Sequence, residues 1–133
     1  MKNEHVVFPE LSYKIIGAAF TVFNELGWGL KEKEYQKALA LEFKNSYLHF
    51  DEQVFIPITY NNTRIGNYYA DFIIEGKVLL ELKVVHKLGY SQIKQVLGYL
   101  KIAGIKLGIL IYFTKEGVKY RRVLNSEVSI CII

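Results

Sequence analysis

One cysteine, Cys131, stands in a chain of 133 residues, so no intrachain disulfide can form and the framework that staples small secreted domains is excluded. No stretch approaches the roughly 20 consecutive apolar residues of a membrane-spanning helix. Met1 to Glu10 carries charges and Pro9 where a signal peptide needs an apolar core, and a cytoplasmic protein is the expectation. His5, His49 and His86 are scattered, with no His/Cys spacing that suggests zinc. A Ser-His-Asp arrangement, a P-loop and a dinucleotide fingerprint are all missing, as are repeats and low-complexity segments.

What is present is a chain 51% hydrophobic and 14% aromatic, enough to fill one interior, with a length that suits a single domain over residues 1–133. Seventeen basic residues against thirteen acidic ones give a formal charge of +4, a mild bias toward polyanionic partners.

Leu11, Ile15, Ala18, Ala19, Val22 and Phe23 recur at helical spacing and predict an amphipathic helix from Glu10 that stops near Gly27. Gly27-Trp28-Gly29 reads as a hinge, and a second helix follows from about Leu30 to Asn45. After Tyr47, β-branched and aromatic residues predict strands over Val54 to Tyr60, Arg64 to Ile74 and Lys77 to Val85, with turns at Asn61-Asn62 and Glu75-Gly76-Lys77. A helix between Ser91 and Ala103, a strand from Leu107 to Phe113 and a last strand from Val118 to Leu124 complete the order ααβββαββ. This is an α/β fold with a mixed β-sheet flanked by helices, because a helix joining two buried strands usually makes a parallel crossover.

Asp71, Glu81 and Lys83 interrupt the apolar pattern of two adjacent strands. If the hairpin loop around Gly76 has three residues, the numbers of cross-strand partners sum to an even value, and Asp71 shares a face with Leu79, Glu81 and Lys83. An even-length loop throws Asp71 to the other face. The opposite face, Phe72, Ile74, Val78, Leu80 and Leu82, is wholly apolar, and Ile73, Leu79 and Val85 border the charges. Uncompensated buried charges are strongly unfavourable, so these three need partners. Two adjacent carboxylates repel unless a divalent cation sits between them, and oxygen ligands of this kind suit Mg²⁺ or Mn²⁺. A lysine two residues past Glu81 reaches the same spot, where it can serve an attacking water and a phosphate. That is the chemistry of phosphodiester hydrolysis. The same residues also read as a structural salt bridge between Lys83 and Glu81 or Asp71.

Asp71, a gap of nine residues and Glu81-Leu82-Lys83 together resemble the D…(D/E)xK signature of the PD-(D/E)XK nuclease superfamily, whose αβββαβ core is similar to the order found here. Gly29, Glu32 and Tyr35, with the segments Gly66 to Asp71, Gln95 to Leu100 and Gly108 to Ile111, resemble the bacterial GxxExxY protein family. Tyr112-Phe113-Thr114 departs from its Asn-Phe-Gly-like ending. The resemblance implies a restriction-endonuclease-like core and Mg²⁺ (or Mn²⁺) held by Asp71, Glu81 and the carbonyl of Leu82, with Glu32 as a third metal ligand or a water-positioning acid. Gln95 and Tyr99 resemble the Gln-xxx-Tyr element of RecB-like nucleases, which implies an amide beside the metal or the DNA phosphate and a tyrosine packed behind it.

Plainer readings stand beside these. Glu32 in a first helical turn is also a carboxylate stabilised by the helix N-terminus, worth about 0.3 to 1 kcal/mol. Gln95 is also a boundary residue and Tyr99 a core one. His86 touches substrate or is a solvated loop residue. Lys87, Lys94 and Lys101 form a polar helix face, and Lys119, Arg121 and Arg122 make the last strand basic, either to hold phosphates or to guard an edge strand. Trp28 and the apolar Val128 to Ile133 cover the core or make a dimer contact.

The leading reading is a metal-dependent nuclease that cuts DNA with a metal-activated water. The rivals are a non-catalytic module holding nucleic acid or a protein, and a structural or regulatory partner in which the triad is a buried ion network. Few residues lie beyond the core, so a homodimer or a protein partner is expected to supply specificity.

Overall fold

The computed structural model describes residues 7–86 and 90–128; His5, Lys87, Cys131 and the stretch 129–133 lie outside them. The elements are α1 (Pro9–Leu26), α2 (Glu32–Asn45), β1 (Phe50–Tyr60), β2 (Thr63–Ile74), β3 (Val78–Val84), α3 (Tyr90–Ala103), β4 (Leu107–Thr114) and β5 (Gly117–Leu124). This is the predicted order. The largest boundary difference is at β1, which starts at Phe50 where the pattern predicts Val54. Asp51 and Glu52 are exposed on this edge strand, and an edge strand with no buried face there offers no alternation to read. Among the described residues no helix is long and apolar enough to cross a membrane.

The five strands lie in the order β1-β2-β3-β4-β5. Only β3 and β4 run parallel, joined by α3 as the crossover. One face, with Phe72, Ile74, Leu80, Leu82, Ile109 and Phe113, packs under α1 and α2. The other, with Leu79, Leu110, Tyr112 and Val123, packs under Val96 and Leu100 of α3. Gly108 is what lets α3 settle there, since a Cβ on it would stand 2.8 Å from Val96 Cγ1 and 3.2 Å from Leu100 Cδ1.

The β2–β3 hairpin has the odd-length loop. Ile74 pairs with Val78 and Ile73 with Leu79, while Glu75 and Gly76 turn the chain at φ 55 and φ 65. Pairing of β2 with β3 ends at Phe72↔Leu80, but pairing with β1 continues to Tyr60↔Thr63. The β1–β2 ribbon thus runs on past the sheet as a two-stranded arm. At the departure point the faces of β2 change over: Phe72 and Ile74 belong to the α1/α2 side, Ala70 and Tyr68 to the α3 side. Opposite the changeover, Gln53 is left-handed at φ 49, and the ladder skips from Glu52↔Phe72 to Val54↔Ala70. The register is the same on both sides of the skipped pair, so the change of face is local to Gln53 and Asp71.

Candidate active site

Where β2 leaves β3, the backbone of β3 loses its partners on that edge, and carboxylates replace them. The Leu82 N–H donates to Asp71 Oδ2 at 2.8 Å, and the backbone of Val84 lies near enough to the Glu32 carboxylate to favour its charged form. In an extended strand the N–H and C=O of one residue face the same edge, so the Leu82 carbonyl shares this notch.

Glu81 completes it from the face of β3. Its Oε2 accepts the Tyr68 hydroxyl and the Asp71 N–H at 3.3 Å, and its Oε1 lies 4.0 Å from Lys83 Nζ. Asp71 Oδ1 accepts from Gln53 Nε2 at 3.4 Å. Asp71 is 9% and Glu81 5% exposed, whereas the Lys83 side chain is 33% exposed, so the amine sits at the mouth and the acids below it.

Burial dominates the electrostatics. It raises the Asp71 carboxyl, against the pull of the Leu82 N–H, Lys83 and Gln53. Glu81 is pushed up to about 7, first by burial and then by the charge of Asp71, over the opposing hydrogen bonds from Tyr68 and the Asp71 N–H and the charge of Lys83. Glu32 is exposed as a residue, yet its carboxyl is raised by partial desolvation and by Asp71. The Tyr68 hydroxyl is raised by burial and by Glu81 and remains a donor. Two crowded acids and a carbonyl, all hard oxygen donors, have the chemistry of a Mg²⁺ or Mn²⁺ site. Among the described residues no group of three or more His, Cys, Asp or Glu is close enough to hold a metal. Glu32 lies near enough to feel the charges of Asp71 and Lys83.

Glu32 owes its place to its neighbours. Gly27 and Gly29, at φ 70 and φ 118, turn the chain between α1 and α2 through a conformation glycine tolerates best. Tyr35 pins that turn: its hydroxyl donates to the Gly27 carbonyl and accepts the Leu30 N–H at 3.4 Å, and its ring packs on Phe113 at 4.5 Å. The Lys31 N–H donates to Glu34 Oε1 at 2.9 Å, so α2 begins at Glu32 and not at Leu30.

The other candidates are spread out. Gln95 is exposed on α3, one turn from Tyr99, whose ring stacks on Tyr68 at 3.4 Å and 11°. Lys101 pairs with Glu127 at 3.4 Å on the surface, and Lys94 is exposed. Lys119 and Arg121 are exposed in the cross-strand rows of Lys83–Tyr112 and Glu81–Leu110, on the side of the sheet that carries Glu81. Arg122 points to the other side and donates to the Val7 carbonyl. His86 meets Trp28 edge to face at 5.7 Å. Tyr112 and Phe113 are buried. Thr114 donates to the Gly117 carbonyl at 2.8 Å and accepts the Glu116 N–H at 3.2 Å, which gives the departing Tyr-Phe-Thr ending a role in closing the β4–β5 turn.

Tyr68 and Gln53 escape the sequence pattern. Strict alternation sets Tyr68, three residues before Asp71, on the opposite face; only the changeover at Asp71 brings it to Glu81. The one signal is that Tyr68 lies within the Gly66 to Asp71 segment.

A family model of the PD-(D/E)XK nuclease superfamily matches residues 9–123, and the chain belongs to that superfamily. It is also similar to a solved structure described as the crystal structure of SSO0001, at 14% identity over 86% of this chain and 76% of that one, with a TM-score of 0.48. No curated protein matches it.

Proposed function

We propose that this chain is a metal-dependent nuclease that hydrolyses phosphodiester bonds of DNA, and that within its superfamily it falls in the GxxExxY group through Gly29, Glu32 and Tyr35. The observation that supports this best is the pair of buried carboxylates, Asp71 and Glu81, with the Lys83 amine at their mouth where the sheet splits. Asp71, Glu81 and the Leu82 carbonyl would hold Mg²⁺ or Mn²⁺, which supplies a water acidic enough to attack at neutral pH and positive charge for the phosphate.

The chain's own groups account for the rest. The Lys83 ammonium orients the attacking water and bonds a phosphate oxygen. Glu32 positions the water from the other side of the notch. Gln95 contacts the substrate backbone, with Tyr99 packed behind. The water gives up one proton to solvent as its oxygen bonds to phosphorus, the bond to one sugar oxygen breaks, and that oxygen takes up a proton from solvent and leaves as a hydroxyl. The residues act as one domain, with a second copy or a protein partner adding grip on the DNA. Purified protein should nick plasmid DNA when Mg²⁺ or Mn²⁺ is added, and the Asp71→Ala and Lys83→Ala variants should not; cutting retained by both variants removes the basis of the reading.

One observation also suits a second reading, a non-catalytic module on the same fold that holds nucleic acid or a protein: Lys119 and Arg121 lie exposed on the side of the sheet that carries Glu81. Calorimetry separates the two. No heat with millimolar Mg²⁺ or Mn²⁺, together with salt-sensitive DNA binding, selects the module.

A further inference from the structure

We propose that Tyr68 is a positioning residue of the nuclease site, fixing the carboxylate of Glu81 through its hydroxyl while Tyr99 clamps its ring. The inference rests on the nuclease reading and deepens it. Tyr68 is half-buried in the arm beyond the sheet, where β2 no longer pairs with β3, so no backbone ladder to β3 holds it against the site. Two side-chain contacts do so instead. Its hydroxyl donates to Glu81 Oε2, and its ring lies flat on Tyr99 at 3.4 Å and 11°. With Oε2 engaged by Tyr68 and the Asp71 N–H, Glu81 presents Oε1, the oxygen nearest Lys83. Tyr99, on the same helix as Gln95, then acts on the site through Tyr68, as the support for the group that orients a metal ligand. Partners of this kind commonly govern metal affinity and activity by 10- to 100-fold.

The test compares the wild-type chain with Tyr68→Phe, which keeps the ring and removes the hydroxyl, and with Tyr99→Leu, which keeps the hydroxyl and removes the clamp. Mn²⁺ affinity is read by calorimetry, kcat and KM by plasmid nicking, and thermal midpoint by circular dichroism. For Tyr68→Phe we expect Mn²⁺ affinity and kcat to fall about 10- to 100-fold, with KM for DNA and the thermal midpoint close to wild type. Tyr99→Leu should show the same loss in weaker form, and it decides the matter alone if Tyr68→Phe does not fold. Wild-type Mn²⁺ affinity and kcat in these variants, or a lowered thermal midpoint with Mn²⁺ affinity unchanged, would overturn the proposal. Failure of the wild-type chain itself to bind Mn²⁺ would bring down the nuclease reading first, and the role of Tyr68 with it.

Discussion

Asp71 Oδ2 accepts the Leu82 N–H at 2.8 Å, the donor that β2 would meet with its backbone had it continued alongside β3 past Phe72↔Leu80. A catalytic candidate is thus also a structural substitute for a strand. An unsatisfied buried backbone N–H is unfavourable, so the acid that opens the site also seals the sheet edge it opens.

That double role separates two substitutions at one position. Asp71→Ala should destabilise the fold by about 1 to 3 kcal/mol, because the Leu82 N–H loses its acceptor, and should abolish cutting. Asp71→Asn keeps an acceptor oxygen and should retain most of the stability while cutting is still lost. Urea unfolding alongside the nicking assay checks both; equal stability of the two variants would contradict this account of Asp71.

Glu81 sets a pH dependence. Its folded pKa of about 7 exceeds the ordinary 4.5, so between these values the folded state holds a proton that the unfolded state has released. Stability conferred by that proton is fully present below about pH 4.5, declines as pH rises toward 7 and is gone above it, a change of about 3 kcal/mol in metal-free buffer. Unfolding curves in chelator across this range should show the decline. Glu81→Gln should flatten it and be more stable than wild type at pH 8. A less stable Glu81→Gln at pH 8 would instead favour the buried ion network.

Tyr35 carries the hinge that presents Glu32. Tyr35→Phe removes the bonds to the Gly27 carbonyl and the Leu30 N–H, so stability should drop by about 1 to 2 kcal/mol. Glu32 loses its fixed approach to Val84, and kcat should fall with it. A Tyr35→Phe protein with unchanged stability and turnover would show that the hinge holds without the hydroxyl.

Gly108→Ala tests the seating of α3. Its Cβ would meet Val96 Cγ1 at 2.8 Å, an overpacking expected to be unfavourable by about 1 to 3 kcal/mol. The displaced helix carries Tyr99, so cutting should weaken too, and Val96→Ala in the same chain should restore both. Lack of rescue would place the clash elsewhere.

Much of this was legible from local pattern. Helical spacing from Leu11 to Phe23, β-branched runs and glycine-bearing turns marked the elements, because a 3.6-residue or two-residue period survives in the sequence whatever the tertiary context. Counting put Asp71, Glu81 and Lys83 on one face for an odd loop around Gly76 and on two for an even one, and the pairing of Ile74 with Val78 is the odd case. The start of β1 was not legible, because Asp51 and Glu52 lie exposed on an edge and bury no periodic face.

The sequence by itself determined the element order and singled out the three ionisable groups in the apolar strands, since these follow from spacing along one segment at a time. Only the tertiary structure decided that the β2–β3 loop is odd, that β2 leaves β3 at Asp71, that Tyr68 swings round to Glu81, that Gln53 supports Asp71, and that Glu32 comes within reach of Val84. Those outcomes depend on a left-handed residue in one strand, a twist in another and a hinge pinned by Tyr35, and contacts between segments so distant in the chain leave no period to read.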